Sequence, residues 1–506
     1  MSKELIVGID LGTTYSEIAA FVGDDIKVLG QCQMLPSCVG FSPDGDLLVG
    51  EPARNQLVIY PERTVHSIKR KIGSDDVIKL GEREFTPPEI SSLILRELVR
   101  VATKELKLPV KKAVITVPAY FSDAQRSATR EAGVLADLEV MRVLNEPTAA
   151  SLAYGLDSKD KVTAMIYDLG GGTFDVSIVS IENDVTEVLA SHGDNNLGGN
   201  DFDQLLLDLL VHEFQEKHGC DITENNASYS RLRLAAEEAK KQLSFERYVR
   251  IREESLLIKD GKPLHLDLEI SREEYEDLIR PLVESTLESV SIAMKEAGRQ
   301  SVDIDVIILV GGSTRTPLVS AILEQRTGIT PRQEVHPDLC VALGAGVLAS
   351  RLEGRSVDQV LVDTSPFSFG ISHLGEINGL PYTHCYHPII KRNTPLPITR
   401  TESYWTAAPH QTTVQLSIYQ GDNPDAQKNI LVGKFLIEDL TSTYDPNEVL
   451  CRMHLDIDGI LNVTAIEKIT DKSKQITILD VLQAKSDDEI LATKERLNKL
   501  FQDDIE

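Results

Sequence analysis

The sequence predicts a two-lobed α/β domain, then an all-β domain, then one short C-terminal helix. Three observations carry this reading. Strand-like and helix-like runs alternate from residue 1 to about 353, as a layered α/β architecture requires. From Arg355 to Val481 the helical period disappears, and β-branched residues, prolines and turn pairs take over. Within the first part, Gly8-Ile9-Asp10-Leu11-Gly12-Thr13-Thr14-Tyr15-Ser16 and Asp168-Leu169-Gly170-Gly171-Gly172-Thr173-Phe174-Asp175 follow one plan. A chain of 506 residues is too long for a single core. The expected division is 1–353, a linker at 354–363, an all-β domain at 364–482 and a helical tail at 483–506.

The two matched segments come first in the argument. Each follows an apolar strand (Leu5 to Ile9, Thr163 to Tyr167) and places a carboxylate, Asp10 or Asp168, at the strand end. A glycine-containing turn with small hydroxyl residues follows, then a second apolar strand, which reads as equivalent hairpins from two related lobes. Backbone without Cβ lets N–H groups approach phosphate oxygens closely. The aspartates need a cation or its waters between themselves and phosphate. Two such hairpins facing each other make a cleft for a nucleotide–metal complex.

The remaining elements follow in order. Pro87 to Leu106 is a helix with an apolar stripe at Ile90, Leu93, Leu95, Leu98 and Val101. Lys112 to Val117 is a buried strand and Ser122 to Ala136 a helix; Asp303 to Val310 is a buried strand ending at Gly311-Gly312. The join Asp358-Gln359-Val360-Leu361-Val362-Asp363 is apolar between acids, which suits a linker that docks. In the β domain, Val414 to Tyr419 and Met453 to Ile457 alternate at period two, and Asp458-Gly459 is a turn pair. Ser486 to Phe501 reads as a helix, with Ser486 and Glu489 at capping-box spacing and a stripe of Ile490, Leu497, Leu500 and Phe501.

Bulk properties exclude several classes. Hydrophobic content is an ordinary 42%, and no apolar run reaches the length of about 18 residues needed for a membrane span. The N-terminus runs straight into a strand, so no secretory signal is expected. The six cysteines (32, 38, 220, 340, 385, 451) lack CxxC spacing and read as reduced thiols of a cytoplasmic protein. A net charge of −27 opposes binding to nucleic acid or to an anionic membrane.

Other motifs are ambiguous singly. Val310-Gly311-Gly312-Ser313-Thr314-Arg315-Thr316-Pro317 is a third Gly-rich turn after a buried strand, suited equally to an anion at a helix start or to a plain αβ loop. Arg315 could stack on a base. Glu237, Lys240, Lys241 and Ser244 share a helix face and read alone as a solvated one. Glu146, in Asn145-Glu146-Pro147-Thr148, reads alone as a first-turn acid, Lys69 as part of a surface basic run, and His336 as structural.

Taken together, these segments resemble the DnaK-type heat-shock chaperone family over residues 1 to about 485. The resemblance rests on the two hairpins, Leu144 to Ala150, Gly193 to Asp203 and the Gly311–Pro317 turn. The loop after Ile72-Gly73 and Pro88-Glu89-Ile90-Ser91-Ser92-Leu93 are most similar to the HscC-like branch. The resemblance implies an actin-like ATPase coupled to a β-sandwich that grips extended apolar segments of unfolded polypeptides. It implies ATP or ADP, Mg2+ and K+ as cofactors, and a J-domain co-chaperone as helper.

Carried over residue by residue, it places Asp10, Asp168 and Asp175 around the metal, and Gly12, Thr13, Thr14, Tyr15, Gly170, Gly171, Gly172 and Thr173 on the phosphates. Lys69 and Glu146 become catalytic, overturning their readings in isolation, as does an adenosine frame of Glu237, Lys240, Lys241, Ser244, Gly311, Gly312, Ser313, Arg315 and Asp338. Gly198 and Gly199 belong to the nucleotide site. Pro118 and Arg126 match an interdomain relay, Arg142 and Asp363 the engagement of J-domain helpers and the linker, and Leu374, Trp405, Val414 and Leu416 a peptide groove.

Three departures from the family pattern matter. Ile72-Gly73-Ser74-Asp75-Asp76 lacks the usual basic, aromatic continuation, which puts contacts with a standard exchange factor in question. Gln359 replaces an apolar linker residue, an expectation of weaker docking. About 20 residues follow the β domain, so a helical lid is not expected and peptide exchange should be fast in both nucleotide states. A small-molecule kinase, a filament-forming ATPase and a non-hydrolysing scaffold are the competing readings. None of the three accounts for the linker and β domain together with a complete set of Lys69, Glu146, Asp10 and Asp168.

Overall fold

A computed structural model describes residues 5–154, 161–182, 185–333, 335–355, 360–377, 379–470, 473–477 and 487–502. Gln359 lies outside them. Each lobe is built on a sheet with the same strand logic. In the first, Ile6–Asp10 pairs antiparallel with Tyr15–Val22 and parallel with Lys112–Val117; Glu139–Asn145 and Asp25–Val28 complete the order at the two sides. In the second, Val162–Leu169 pairs antiparallel with Phe174–Glu182 and parallel with Val306–Val310. The two hairpins therefore occupy equivalent positions. Helices cover both faces of these sheets, so the strands read as continuous apolar runs; all five residues of Ile6–Asp10 are buried.

The helices start where sequence chemistry puts them. Thr86 precedes Pro87–Leu106 and receives Glu89 Oε2 on its backbone N–H at 3.0 Å. Ser122 Oγ accepts the Gln125 amide while Gln125 Oε1 accepts the Ser122 amide, a reciprocal cap that fixes Asp123–Leu135. Pro147 opens Glu146–Ala153 within its first turn, which sets Glu146 at the end of Glu139–Asn145 facing the cleft.

Val360–Val362 of the linker is the fifth strand of the second lobe, parallel to Val185–Glu187. The β domain is a sandwich. One sheet runs Leu380–Ile390, Phe369–Ile377, Val414–Gln420, Ile430–Ile437, and the other Ile398–Trp405, Glu448–Leu455, Leu461–Glu467, Ser473–Thr477. Its core is Phe369, Ile371, Leu416, Ile418, Met453, Leu455 and Val463.

The sandwich docks on the first lobe. The Asp458-Gly459 turn, with Gly459 at φ 76°, inserts the Asp458 carboxylate among Arg130, Arg142 (3.0 Å) and the Val143 amide (3.1 Å). Leu461 donates its amide to Asp123 at 2.9 Å, and the Tyr120 ring packs tilted against Phe367, 4.6 Å between centroids. On the second lobe, Glu296 accepts from Arg392 at 3.0 Å and from Asn393 at 3.1 Å. The C-terminal helix, Asp487–Gln502, packs on the first lobe: Leu497 is fully buried in that lobe's core, and Arg496 pairs with Glu89 at 2.8 Å. No helix among the described residues is long and apolar enough to cross a membrane. All six cysteines are free thiols, four of them buried.

Candidate nucleotide cleft

The hairpin turns of the two lobes meet across a cavity of about 500 Å³. Asp10, Gly12, Thr13, Thr14 and Tyr15 line it from one lobe, and Asp168, Gly170, Gly171 and Thr173 from the other. The approach is close enough that a Cβ on Gly171 would lie 2.0 Å from Thr14 Oγ1, so only glycine fits there.

At the floor, Lys69 Nζ donates to Glu146 Oε1 at 2.5 Å, and both residues are buried. Lys69 arrives there through a short 3-10 turn, Ile68–Lys71, entered at a left-handed Ser67 (φ 55°). Burial alone would lower the Lys69 pKa, but the Glu146 and Asp10 carboxylates outweigh it and hold the ammonium charged. Burial, reinforced by Glu146, pushes Asp10 up to about 7, and Thr116 donates to its Oδ1 at 3.0 Å. Asp168 and Asp175 are raised well above the carboxylate range by burial and by Glu146, and Glu17 by burial and Asp10. Four of these acids, Asp10, Glu17, Asp168 and Asp175, thus resist ionisation while buried together, and a hard cation with its waters would stabilise their charged form.

The opposite end is lined by charged side chains held in a network. Arg315 is fixed by Asp338 at 2.7 Å and touches the His336 ring at 3.0 Å; Ser313 Oγ donates to Gly170 O at 2.8 Å. Lys240 reaches Gly199 O at 3.1 Å and Asp203 at 2.8 Å. Glu237 accepts from Lys241 at 2.6 Å and, across the cleft, from Arg54 at 3.0 Å, while both cations also reach the Tyr15 hydroxyl. Ser244, Gly311 and Gly312 line the same wall.

Several expected residues support the cavity wall from behind. Gly172 O accepts from Arg70 at 3.0 Å, Gly198 N donates to Asp201 at 2.8 Å, and Asp175 accepts the Tyr120 amide at 3.2 Å. His336, read from sequence as structural, stands in the cavity wall because Gly311 N bonds Pro337 O and draws the His336–Asp338 loop over the cleft. Glu17, Asn200, Asp203 and Phe245 also line it and escaped the sequence reading. Phe245 alone left a signal, as a large apolar residue directly after Ser244; in the structure it is 69% exposed.

Away from the cleft, Arg126 donates to Ala119 O at 3.0 Å, Asn145 Oδ1 at 2.7 Å and Asp458 O at 3.4 Å. Pro118 ends the strand that leads into this contact, and Thr148 donates to Asp363 at 3.3 Å. Arg142, expected to serve a helper protein, is here held by Asp458. Of the four groove residues, Leu374 (63% exposed) and Trp405 (61%) face solvent from different sheets. Val414 is half-buried and Leu416 sits in the sandwich core at 4%, on the strand that pairs with Phe369–Ile377.

A carboxylate-rich, glycine-lined cleft between duplicated lobes, tied by a paired linker to a β-sandwich, defines a two-domain nucleotide-driven protein. The chain matches the Hsp70 protein family over residues 6–79 and 75–505 and belongs to that family. It is 43% identical over 511 residues to "Chaperone protein DnaK" of Thermosipho africanus (strain TCF52B), an alignment covering 99% of this chain and 83% of that protein. It is 42% identical over 487 residues to "Chaperone protein DnaK" of Thermotoga maritima and of Thermotoga neapolitana, covering 94% of this chain and 80% of each. It is accordingly an ATP-hydrolysing chaperone.

Proposed function

We propose that ATP binds with its phosphates between the two hairpin turns and its adenosine between Arg315 and the Glu237–Ser244 helix face. The observation that carries this is the buried Lys69–Glu146 pair at the floor of a cleft lined by both turns. Asp10, Asp168 and Asp175 would hold the waters of Mg2+, which together with K+ would supply the charge that offsets the phosphates. Thr13, Thr14 and Thr173 with the turn amides orient the phosphates. Lys69 stabilises charge developing on the terminal phosphoryl group, and Glu146 orients the attacking water.

Nucleotide state reaches the β domain through Pro118, Arg126 and Asp363 and through the linker strand, and controls grip on extended polypeptide segments. The linker spans 354–363 between an ATPase domain at 1–353 and a binding domain at 364–482. A J-domain co-chaperone drives hydrolysis, approaching the Arg142 face when Asp458 lets go of it. The setting is the cytoplasm, and the affinity is to the HscC-like branch.

Single-turnover ATP hydrolysis, with and without an extended apolar peptide, tests the reading. Slow turnover that rises with peptide supports it; turnover indifferent to peptide leaves an ATPase whose β domain does something else.

A further inference from the structure

A second cavity, of about 460 Å³, adjoins the nucleotide cleft and takes no part in the reading above. The two share Thr13, Thr14, Asn200 and Asp203 as a common wall. The Ile68–Lys71 turn divides them: Lys69 lines the first, while Arg70 and Lys71 line the second together with His66 and Ser67. Arg233, on the Asn226–Leu243 helix one turn before Glu237, lines the second cavity from the other lobe.

The charges around this cavity pair off until one cation is left over. Arg54 is spent on Glu237, Arg70 on Asp201, Lys71 on Asp76, and Asp203 on Lys240. Arg233 is half-buried and has no carboxylate partner among the described residues; it donates to His66 Nε2 at 2.8 Å. A half-buried guanidinium whose remaining N–H groups find no acceptor in a chain of net charge −27 is an open seat for an anion.

Beside it stands a second unspent donor. A guanidinium only donates, so His66 Nε2 carries no proton and Nδ1 is the donor to Ser67 Oγ at 2.9 Å. Asn200 Nδ2 donates to the same oxygen at 2.8 Å. Both acceptor sites of Ser67 are thereby filled, and its own O–H has no acceptor among the described residues. Donors from Arg233 and Ser67 thus line one water-accessible cavity, and the common wall at Thr13 and Thr14 separates it from the place where hydrolysis frees a phosphate dianion.

We propose that the second cavity binds inorganic phosphate through Arg233 and Ser67 and is the route by which the product phosphate leaves, separately from ADP. This rests on the placement of the nucleotide given above. Phosphate from solution has the same chemistry, so the test separates the two sources.

Equilibrium dialysis of radiolabelled phosphate, at constant ionic strength, against the full chain loaded with a non-hydrolysable ATP analogue reads this cavity alone, because the analogue fills the cleft. Phosphate should bind, and Arg233→Gln, which keeps a donor for His66 but no charge, should weaken it about tenfold. Dilution of the chain loaded with ADP and phosphate into a fluorescent phosphate sensor then reads exit without waiting on cleavage. In Arg233→Gln phosphate should leave about tenfold more slowly, while labelled ADP leaves at the unmodified rate. No binding to the analogue-loaded chain, or binding unaffected by the variant, overturns the site. Weakened binding with phosphate exit at the unmodified rate assigns the cavity to phosphate from solution and overturns the route. Phosphate and ADP exit slowing together makes Arg233 a clamp between the lobes and also overturns the route. Failure of the analogue to bind overturns the nucleotide placement instead.

Discussion

Lys69, Arg70 and Lys71 are consecutive cations in sequence, and the fold sends them to three different places. Lys69 turns inward to Glu146, Arg70 crosses the cleft to Asp201 at 2.5 Å, and Lys71 meets Asp76 at the surface at 3.2 Å. Periodicity could not separate them, because a 3-10 turn rotates successive side chains by about 120° and only the neighbouring lobe decides which direction is inside. The family resemblance picked out Lys69 and gave no role to Arg70. Removal of Lys69 strands Glu146 as an unpaired buried charge and removes the cation nearest the terminal phosphate. Lys69→Ala should slow single-turnover hydrolysis by about 10²-fold or more. Nucleotide binding, which draws on both turns and the Arg315 wall, should persist. A variant that hydrolyses at the unmodified rate would remove Lys69 from the chemistry.

Elements were more legible than their partners. The apolar stripe of Pro87–Leu106 marked that helix to the residue, and the Thr86–Glu89 cap seen in the structure fixes its start. The strand expected at Asp303 to Val310 begins at Val306, since Ser301–Asp303 form a 3-10 turn and Asp305 spends its carboxylate on the Thr163 amide. The tail helix was visible as Ser486 to Phe501, but nothing in its own stripe says that Leu497 fills a hole in the first lobe. Truncation of a fully buried leucine costs about 2–5 kcal/mol. Leu497→Ala should therefore release this helix, seen as lost amide exchange protection in 487–502 with the rest of the first lobe still protected. Linker pairing makes a parallel case. Leu361 is part of an apolar cluster beneath the second-lobe sheet, so Leu361→Asp should detach Val360–Val362. Basal hydrolysis should remain and its stimulation by peptide should vanish; stimulation that survives would route the signal elsewhere.

At the scale of the whole molecule, docking of the sandwich on the first lobe concentrates on few groups. Three of them, Asp123, Arg126 and Asp458, are buried although charged or chargeable. Asp458→Ala leaves Arg130 and Arg142 without their common carboxylate and the Val143 amide unsatisfied, so the domains should separate. Small-angle scattering in ATP should then show a larger radius of gyration than for the unmodified chain. Asp123 adds a pH dependence whose sign follows from its environment. Burial, only partly opposed by the Leu461 amide and Arg126, pushes its pKa from 3.8 to about 7 in the docked state. On separation the carboxyl regains water and an ordinary value. Between those two values the docked state holds a proton that the open state releases, so docking weakens as pH rises and the full penalty is reached above about 7. Asp363, also raised by burial, acts in the same direction. Domain separation followed by fluorescence transfer from pH 6 to pH 8 should increase with pH. Asp123→Asn keeps an oxygen for the Leu461 amide and has nothing to ionise; it should flatten most of that slope and hold the domains together at pH 8. Docking that tightens with rising pH, or a slope unchanged in the variant, would place the controlling group outside this contact.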